Sequence, residues 1–237
     1  MEVHLFWTGR CLNRLEHWSL RRFQHCGFEP QLWTYDDSLE VPKGIVLRQA
    51  GELLPKDRLF LNRRGSYASF ADLFRYTLLH RHGGLWCDLD VVCLSRPSDL
   101  QPGAFLVSER DQQGGTLLNN NVIQATGERA RALMGALAEQ AAAIPVEKVV
   151  WAQLGPQLLQ KMIDASPDHG FVIQPPAFAN PVDWWEVPQA FQTGKAPTGL
   201  SRCAFLHLYA ERWRRAGCES AEELQGGQRL ERWLSNR

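Results

Sequence analysis

Apolar and polar positions follow two alternating periods along the first part of the chain. Residues 3–7 form a short apolar run that predicts a strand, and residues 12–26 repeat apolar side chains at helical spacing until Gly27. Residues 28–37 predict a second strand that ends in acidic residues. A strand, a helix and a strand at short intervals predict the beginning of an α/β layer with a parallel sheet.

The middle of the chain repeats this alternation. Residues 66–82 carry an apolar face at helical spacing, and Gly83 and Gly84 follow where a helix C-cap is expected. An apolar run at residues 85–94 follows at once and predicts a strand. Helix and strand therefore form one further αβ unit.

The second half continues in the same manner. Its predicted elements are a strand at 116–125, a helix at 128–143, a helix that Pro156 opens, a strand from residue 171 that runs into a proline-rich loop, a strand or helix start within 203–215, and a last helix with Ser220 and Glu223 spaced as a capping box. No linker, charge block or repeat divides the sequence, so we expect a single domain over residues 1–237.

Charge and cysteine usage narrow the class of protein. The chain has 26 basic and 26 acidic residues, which argues against binding nucleic acid through clustered positive charge. Its six cysteines lack the spacing of zinc ligands or disulfide frameworks, which favours buried, reduced thiols in a cytoplasmic protein. The first residues lack the pattern of a secretion signal, and no stretch reaches the roughly 18 apolar residues of a transmembrane helix. We expect a cytoplasmic location.

A basic segment near the end of the chain leaves two interpretations open. Arg212, Arg214 and Arg215 flank Trp213. An arginine-rich surface helix is one interpretation, and a peripheral contact with the inner face of a membrane is the other.

Asp88 and Asp90 interrupt a run that otherwise predicts a buried strand. Side chains two positions apart on a strand point to the same face, so the two carboxylates would be aimed together and repel each other. A divalent cation such as Mg²⁺ or Mn²⁺ resolves that repulsion, because both ions prefer oxygen ligands. The alternative is a pair of strand-end acids that bind arginine or cap a turn.

The sequence around Asp88 and Asp90 resembles a motif of a known protein family. Residues 67–94, YASFADLFRYTLLHRHGGLWCDLDVVCL, resemble the motif region of family 32 glycosyltransferases, described by a sugar-binding region that contains a DXD motif. The matching positions are Ala68 or Ala71, Asp72, Arg75, Tyr76, Leu79, Gly83, Gly84, Leu85, Trp86, Asp88 and Asp90. Shorter similarities occur at residues 3–9, 117–125, 154–159 and 205–213.

The resemblance implies a fold and a reaction. The fold is GT-A-like: an α/β domain with a mainly parallel central sheet and flanking helices. The reaction is the transfer of a hexose from a UDP- or GDP-sugar to an acceptor hydroxyl, with Mn²⁺ or Mg²⁺ as cofactor and with retention of configuration. Glycan, lipid-linked and protein acceptors all remain open, in a setting such as polysaccharide biosynthesis.

The resemblance also implies roles for individual residues. The implied catalytic residues are Asp88, Asp90 and Arg75; the metal ligands are Asp90, Asp88 and His207; and the donor-binding residues are Trp7, Asp72, Arg75, Asp88 and Asn121. Residue chemistry adds candidate acceptor contacts, because aromatic faces suit sugar rings and a carboxylate can orient a hydroxyl: Trp184, Trp185 and Asp183. In this scheme Trp7 stacks on the nucleobase, and Asp72 with Arg75 holds sugar hydroxyls from one helical face.

Each assignment has a structural alternative. Asp72 and Arg75 also fit an intrahelical salt bridge on the surface, and Trp7 fits a core position at a strand end. His207 fits an ordinary core or surface histidine, and the run of asparagines at 119–121 fits turn chemistry. The two tryptophans at 184 and 185 fit buried loop anchors.

Two other functions compete with glycosyl transfer. A haloacid-dehalogenase-like phosphatase would use Asp88 as nucleophile and Asp90 as general acid and base. Such an enzyme needs a second acidic pair downstream, whereas the adjacent pair Asp36 and Asp37 lies upstream. The other alternative is a noncatalytic protein that binds nucleotide sugars or carbohydrates.

Overall fold

A seven-stranded sheet forms the centre of the computed structural model, which describes residues 1–187 and 200–215. Its strands are β1 (Glu2–Trp7), β2 (Glu29–Thr34), β3 (Val46–Gln49), β4 (Gly84–Cys87), β6 (Ala104–Arg110), β7 (Thr116–Ala125) and β8 (Phe171–Gln174). They lie in the order β3-β2-β1-β4-β7-β6-β8, and β7 alone of these seven runs antiparallel to its neighbours. A second, two-stranded sheet pairs β5 (Val91–Cys93) with β9 (Phe205–His207).

Helices cover both faces of the large sheet. They are α1 (Arg14–His25), α2 (Ala68–His82), α3 (Glu128–Ala143), α4 (Leu158–Asp164), α5 (Pro176–Ala179) and α6 (Ala210–Arg215). Helix α1 begins with a capping box, in which Asn13 accepts a hydrogen bond from the Leu15 amide and Glu16 accepts one from the Asn13 amide. None of the described helices combines the length and apolar content that a bilayer crossing requires.

Alternation along the central strands divides the core into two clusters. Phe6 and Trp86 point to one face, where they pack with Phe74 of α2 and the apolar face of α3. Leu5 and Leu85 point to the other face and pack with Phe23 of α1. Because successive strand residues alternate between faces, a run that is apolar at every position must be covered on both sides.

This architecture confirms the predicted GT-A-like fold class, an α/β fold with a mainly parallel sheet and flanking helices. The predicted bounds of α3 and β7 are those observed. The segment 203–215 contains a strand followed by a helix. The predicted capping box at Ser220 and Glu223 lies outside the described residues, and the single domain stays a prediction.

Three predictions about local structure are wrong. The strand expected at 85–94 is two strands, because the chain leaves the sheet after Cys87 and turns through Asp90. Pro156 does not open a regular helix: it lies in a wide turn at 153–157, where Gly155 has non-helical dihedral angles, and α4 begins at Leu158. Cys11 is exposed, whereas the other four described cysteines are buried.

Candidate active site

The two aspartates of the DXD segment lie in the turn between β4 and β5. Gly83 and Gly84 both have positive φ, which ends α2 and directs the chain straight into β4. After β4 the Asp88 amide donates to the Asn121 carbonyl at 2.8 Å, and the Val91 amide donates to the Asp88 carbonyl at 3.0 Å. The turn therefore begins at the carboxyl end of a central strand, where ligands bind in open α/β sheets.

The carboxylate of Asp88 contacts the guanidinium of Arg75 and the indole of Trp86. Its Oδ1 accepts hydrogen bonds from Trp86 Nε1 at 2.8 Å and lies 3.0 Å from Arg75 Nη2. Burial raises the pKa of Asp88 above its ordinary value, and the charge of Asp90 adds to this effect while Arg75 opposes it. The alternative drawn from the sequence, an acid at a strand end that binds arginine, corresponds to the contact between Asp88 and Arg75.

Asp90 connects the turn to the late part of the chain. Its Oδ2 accepts from the Ala210 amide at 2.7 Å, and its carbonyl accepts from the Leu208 amide at 3.0 Å. Its Oδ1 lies 3.5 Å from Nε2 of His207, which the pairing of β5 with β9 brings opposite Val91. Burial lowers the pKa of His207, but its interactions with Asp90, Asp88 and Glu109 together raise the pKa above its ordinary value.

Asp88, Asp90 and His207 form one cluster. Each offers a ligand atom, and these atoms all lie within 4.8 Å of one another. Two carboxylates and an imidazole at this spacing fit a divalent cation. Asp36 and Asp37 follow β2, two strands away from β4, and are not in this cluster.

His207 is held on its far side by a residue that sequence reasoning missed. Its Nδ1 lies 3.2 Å from Oδ1 of Asn180, which follows α5. The ring of Tyr209 lies 3.8 Å from the His207 ring between centroids, and the Tyr209 hydroxyl donates to Glu109 at 3.0 Å. Asn180 and Glu109 carry no local motif, since their roles arise from contacts between distant segments.

Arg75 and Asp72 form a buried pair instead of a surface salt bridge. The two residues are 4% and 7% exposed, and Arg75 Nη2 lies 3.4 Å from Asp72 Oδ1. Arg75 also donates to the Asn120 carbonyl, and its guanidinium lies 5.1 Å from the centre of the Trp86 ring. Burial raises the pKa of Asp72 to about 6, against the opposing charge of Arg75. The surface-salt-bridge alternative is therefore wrong.

The three consecutive asparagines of β7 each have a different partner. The β6–β7 register shifts between Leu106 and Val107, so the strand bulges at the asparagines. The side-chain amide of Asn119 donates to Glu109 at 2.7 Å, that of Asn120 to Asp72 at 2.8 Å, and that of Asn121 to Asn180 at 2.9 Å. Asn121 is 1% exposed, and it supports the site indirectly, because its partner Asn180 contacts His207.

Of the remaining predicted site residues, Trp7 lies at a strand end, whereas Asp183, Trp184 and Trp185 lie in the segment that follows α5. Half-buried Trp7 ends β1, the neighbour of β4, and its indole donates to the Cys11 carbonyl at 3.1 Å. Asp183 accepts from Arg110 Nε at 2.6 Å. The rings of Trp184 and Trp185 meet edge to face at 5.3 Å. Contact of any of these residues with donor or acceptor stays a prediction.

The basic segment after β9 is described only in part. The guanidinium of Arg212 lies 4.7 Å from the centre of the Trp184 ring. The side chains of Trp213, Arg214 and Arg215 lie outside the described part of the chain, so both interpretations of this segment stay open.

Comparison with known proteins gives a family match over this part of the chain. Residues 32–106 match the family described as glycosyltransferase sugar-binding region containing DXD motif. That segment includes α2, β4 and both aspartates, so the resemblance seen in the sequence is confirmed. No curated protein matches the chain at a significant level.

Several solved glycosyltransferases are similar to this structure. PaToxG glycosyltransferase is 13% identical, with 70% of this chain and 69% of that chain covered and a TM-score of 0.48. A glycosyltransferase involved in glycosylation of the major capsid of PBCV-1 is 14% identical, with 90% and 98% covered and a TM-score of 0.48. GlyE of Streptococcus pneumoniae TIGR4 is 11% identical, with 98% and 64% covered and a TM-score of 0.48. Similarity at this level says nothing about donor or acceptor.

The class of protein that the matched segment resembles is the glycosyltransferases. More particularly, residues 32–106 match the sugar-binding region that contains the DXD motif, and Asp88 and Asp90 are the two aspartates of that motif in this sequence.

Proposed function

We propose that this enzyme transfers a hexose from a UDP- or GDP-sugar to an acceptor hydroxyl in a metal-dependent reaction that retains the anomeric configuration. The observation that carries the proposal is the convergence of Asp88, Asp90 and His207 to within 4.8 Å in the turn after β4. The family match over residues 32–106 supports the sugar-donor class. The acceptor is a glycan, a lipid-linked sugar or a protein.

The cluster fits a divalent cation by its charge as well as by its spacing. Asp90, Asp88 and His207 would hold Mn²⁺, or Mg²⁺, with two negative charges and one imidazole nitrogen. The bound ion would neutralise the diphosphate of the donor and the charge that develops on the leaving group. The two carboxylates would hold the ion at the carboxyl end of β4.

The protein residues around the cluster have positioning roles in this proposal. Arg75 lies next to both Asp72 and Asp88, and its charge lowers the pKa of each acid against the effect of burial. Trp7 offers an aromatic face for the nucleobase at the neighbouring strand end. Asp183, Trp184 and Trp185 are the proposed acceptor contacts, because aromatic faces suit sugar rings.

The test is a donor screen with two matched variants. The protein is incubated with UDP- and GDP-sugars and Mn²⁺, and release of nucleoside diphosphate is followed by mass spectrometry. Asp90→Asn should lower turnover by about 100-fold or more, because a bound metal supplies several kcal/mol of transition-state stabilisation. Asp168→Asn, the same change at an exposed turn, should leave turnover unchanged.

Two results would contradict the proposal. Donor turnover that survives chelation of divalent metals would exclude the metal-dependent mechanism. Rapid hydrolysis of simple phosphomonoesters, with no donor consumed, would favour the phosphatase. The anomeric configuration of the transferred sugar, read by NMR, decides whether the reaction retains or inverts.

A further inference from the structure

We propose that Asn180 is a positioning residue that holds His207 in the tautomer with its proton on Nδ1, so that Nε2 faces the two aspartates as a ligand atom. The inference rests on the proposed function in one respect, namely that the cluster binds a divalent metal. The tautomer itself is a property of the protein alone and is measured separately.

The orientation of the Asn180 amide is fixed by its neighbours. Its Nδ2 donates to the Ser108 carbonyl at 3.0 Å, and a carbonyl oxygen only accepts hydrogen bonds. Its Oδ1 accepts from Asn121 Nδ2 at 2.9 Å. Both contacts require the oxygen on the side of Asn121 and His207. If the amide were rotated by 180°, its nitrogen would face the Asn121 nitrogen and its oxygen would face the Ser108 carbonyl oxygen. Neither pair could form a hydrogen bond.

This orientation dictates which nitrogen of His207 carries the proton in the neutral ring. The Asn180 oxygen lies 3.2 Å from Nδ1 and only accepts, so Nδ1 must donate. In the neutral ring Nε2 then has a lone pair, and it lies 3.5 Å from the Asp90 Oδ1. Two acceptors that face each other at this distance repel, and a cation between them removes that repulsion.

The position of Asn180 is rigid, because three segments hold it. It is 1% exposed, and its backbone amide donates to the Pro176 carbonyl at 2.8 Å. Its side chain contacts β6 through Ser108 and β7 through Asn121. The Tyr209 ring covers a face of the imidazole. Partners of this kind orient metal-binding histidines, and their loss typically weakens metal binding.

The first experiment reads the tautomer by ¹⁵N NMR of the metal-free protein, at a pH above the pKa of His207. Wild type should show a protonated Nδ1 and an unprotonated Nε2. Asn180→Leu removes the acceptor and should abolish this preference, whereas Asn180→Asp keeps an acceptor at Nδ1 and should retain it. A protonated Nε2 in wild type, or an unchanged spectrum in Asn180→Leu, overturns the inference.

The second experiment measures Mn²⁺ binding by calorimetry in the same proteins. Asn180→Leu should weaken binding by about 10- to 100-fold, whereas Asn180→Asp should stay within about threefold of wild type. Asn62→Leu is the matched control: Asn62 is equally buried and bonded, but it contacts Ser69 and the 62–66 turn instead of the cluster, so its loss should not change affinity.

The outcomes separate the inference from the proposed function. If wild type binds no Mn²⁺, the proposed metal dependence fails, while the NMR spectra still decide the tautomer. If wild type binds Mn²⁺ and folded Asn180→Leu binds it equally, the positioning role fails alone. If Asn180→Leu does not fold, Asn180→Asp decides: loss of both the tautomer and the affinity in that variant overturns the inference.

Discussion

At the scale of single residues, the site rests on a buried series of charges. Arg75 lies between Asp72 and Asp88 and is within 3.4 Å of a carboxylate oxygen of each. Each acid would be costly to bury alone, and the charge of the arginine offsets part of that cost for both. The sequence showed these residues at helical and strand spacing, but burial of the pair follows from tertiary packing and had no local signal.

Gly155 lies against this series of charges with no room for a side chain. A Cβ at this position would lie 2.8 Å from both carboxylate oxygens of Asp72 and 3.0 Å from Asn120 Nδ2. Asp72 is itself fixed by Arg75, so it cannot move aside without breaking that pair. Gly155→Ala should therefore lower the free energy of unfolding by about 1–3 kcal/mol in urea denaturation.

Gly51→Ala is the control for this substitution. A Cβ on Gly51 would meet no atom within 4 Å, so its effect should stay within about 0.5 kcal/mol. Equal stability of the two variants would show that the turn at Gly155 adapts, and that the close approach to Asp72 has no energetic weight.

His4 makes stability depend on pH. Burial, together with the nearby charges of His82 and Arg48, lowers its pKa from 6.5 to about 4, and its Nδ1 accepts from Trp33 Nε1. Between about pH 4 and pH 6.5, His4 is protonated in the unfolded chain but neutral in the folded protein. Stability from this group is complete above about pH 6.5 and falls as the pH drops toward 4, by at most about 3 kcal/mol.

The measurement is urea denaturation of wild type and His4→Asn at neutral and mildly acidic pH. Asparagine keeps an acceptor for Trp33 but does not titrate, so the variant should lose less stability on acidification than wild type. Parallel pH profiles of the two proteins would exclude His4 as the source.

At the scale of elements, the spacing of apolar residues along the chain predicted several helices and strands. Helix α3 and strand β7 were predicted to the residue. A single apolar face defines α3, whereas β7 is buried at eight successive positions, its three asparagines included. The predicted strand 85–94 failed at Asp88, because β4 ends at Cys87 and β5 pairs with β9 in a second sheet. A local apolar run does not show which partner strand it will join.

The capping box of α1 should contribute measurably to stability. Asn13→Ala removes the acceptor for the Leu15 amide and should lower the free energy of unfolding by about 1 kcal/mol. Asn13→Ser keeps an acceptor and should retain most of that stability. Thermal and urea denaturation of the three proteins measure both effects, and a serine variant as unstable as the alanine variant would argue against the cap.

At the scale of the whole molecule, alternating helices and strands sufficed to predict the α/β class. The order of strands was not predictable, because β7 inserts between β4 and β6 through contacts remote in sequence. The site follows the same rule. The DXD pair and its helix were visible as a motif, whereas Asn180 and Glu109 reach His207 and Tyr209 only after the sheet has formed.

The pairing of β5 with β9 also has a consequence for synthesis in the cell. Asp88 and Asp90 are synthesised in the first half of the chain, whereas His207 comes from the last described strand. A nascent chain that has not yet exposed β9 has β5 without its partner strand and lacks the imidazole of the cluster. Assembly of the three side chains therefore comes late in synthesis and cannot guide the early stages of folding.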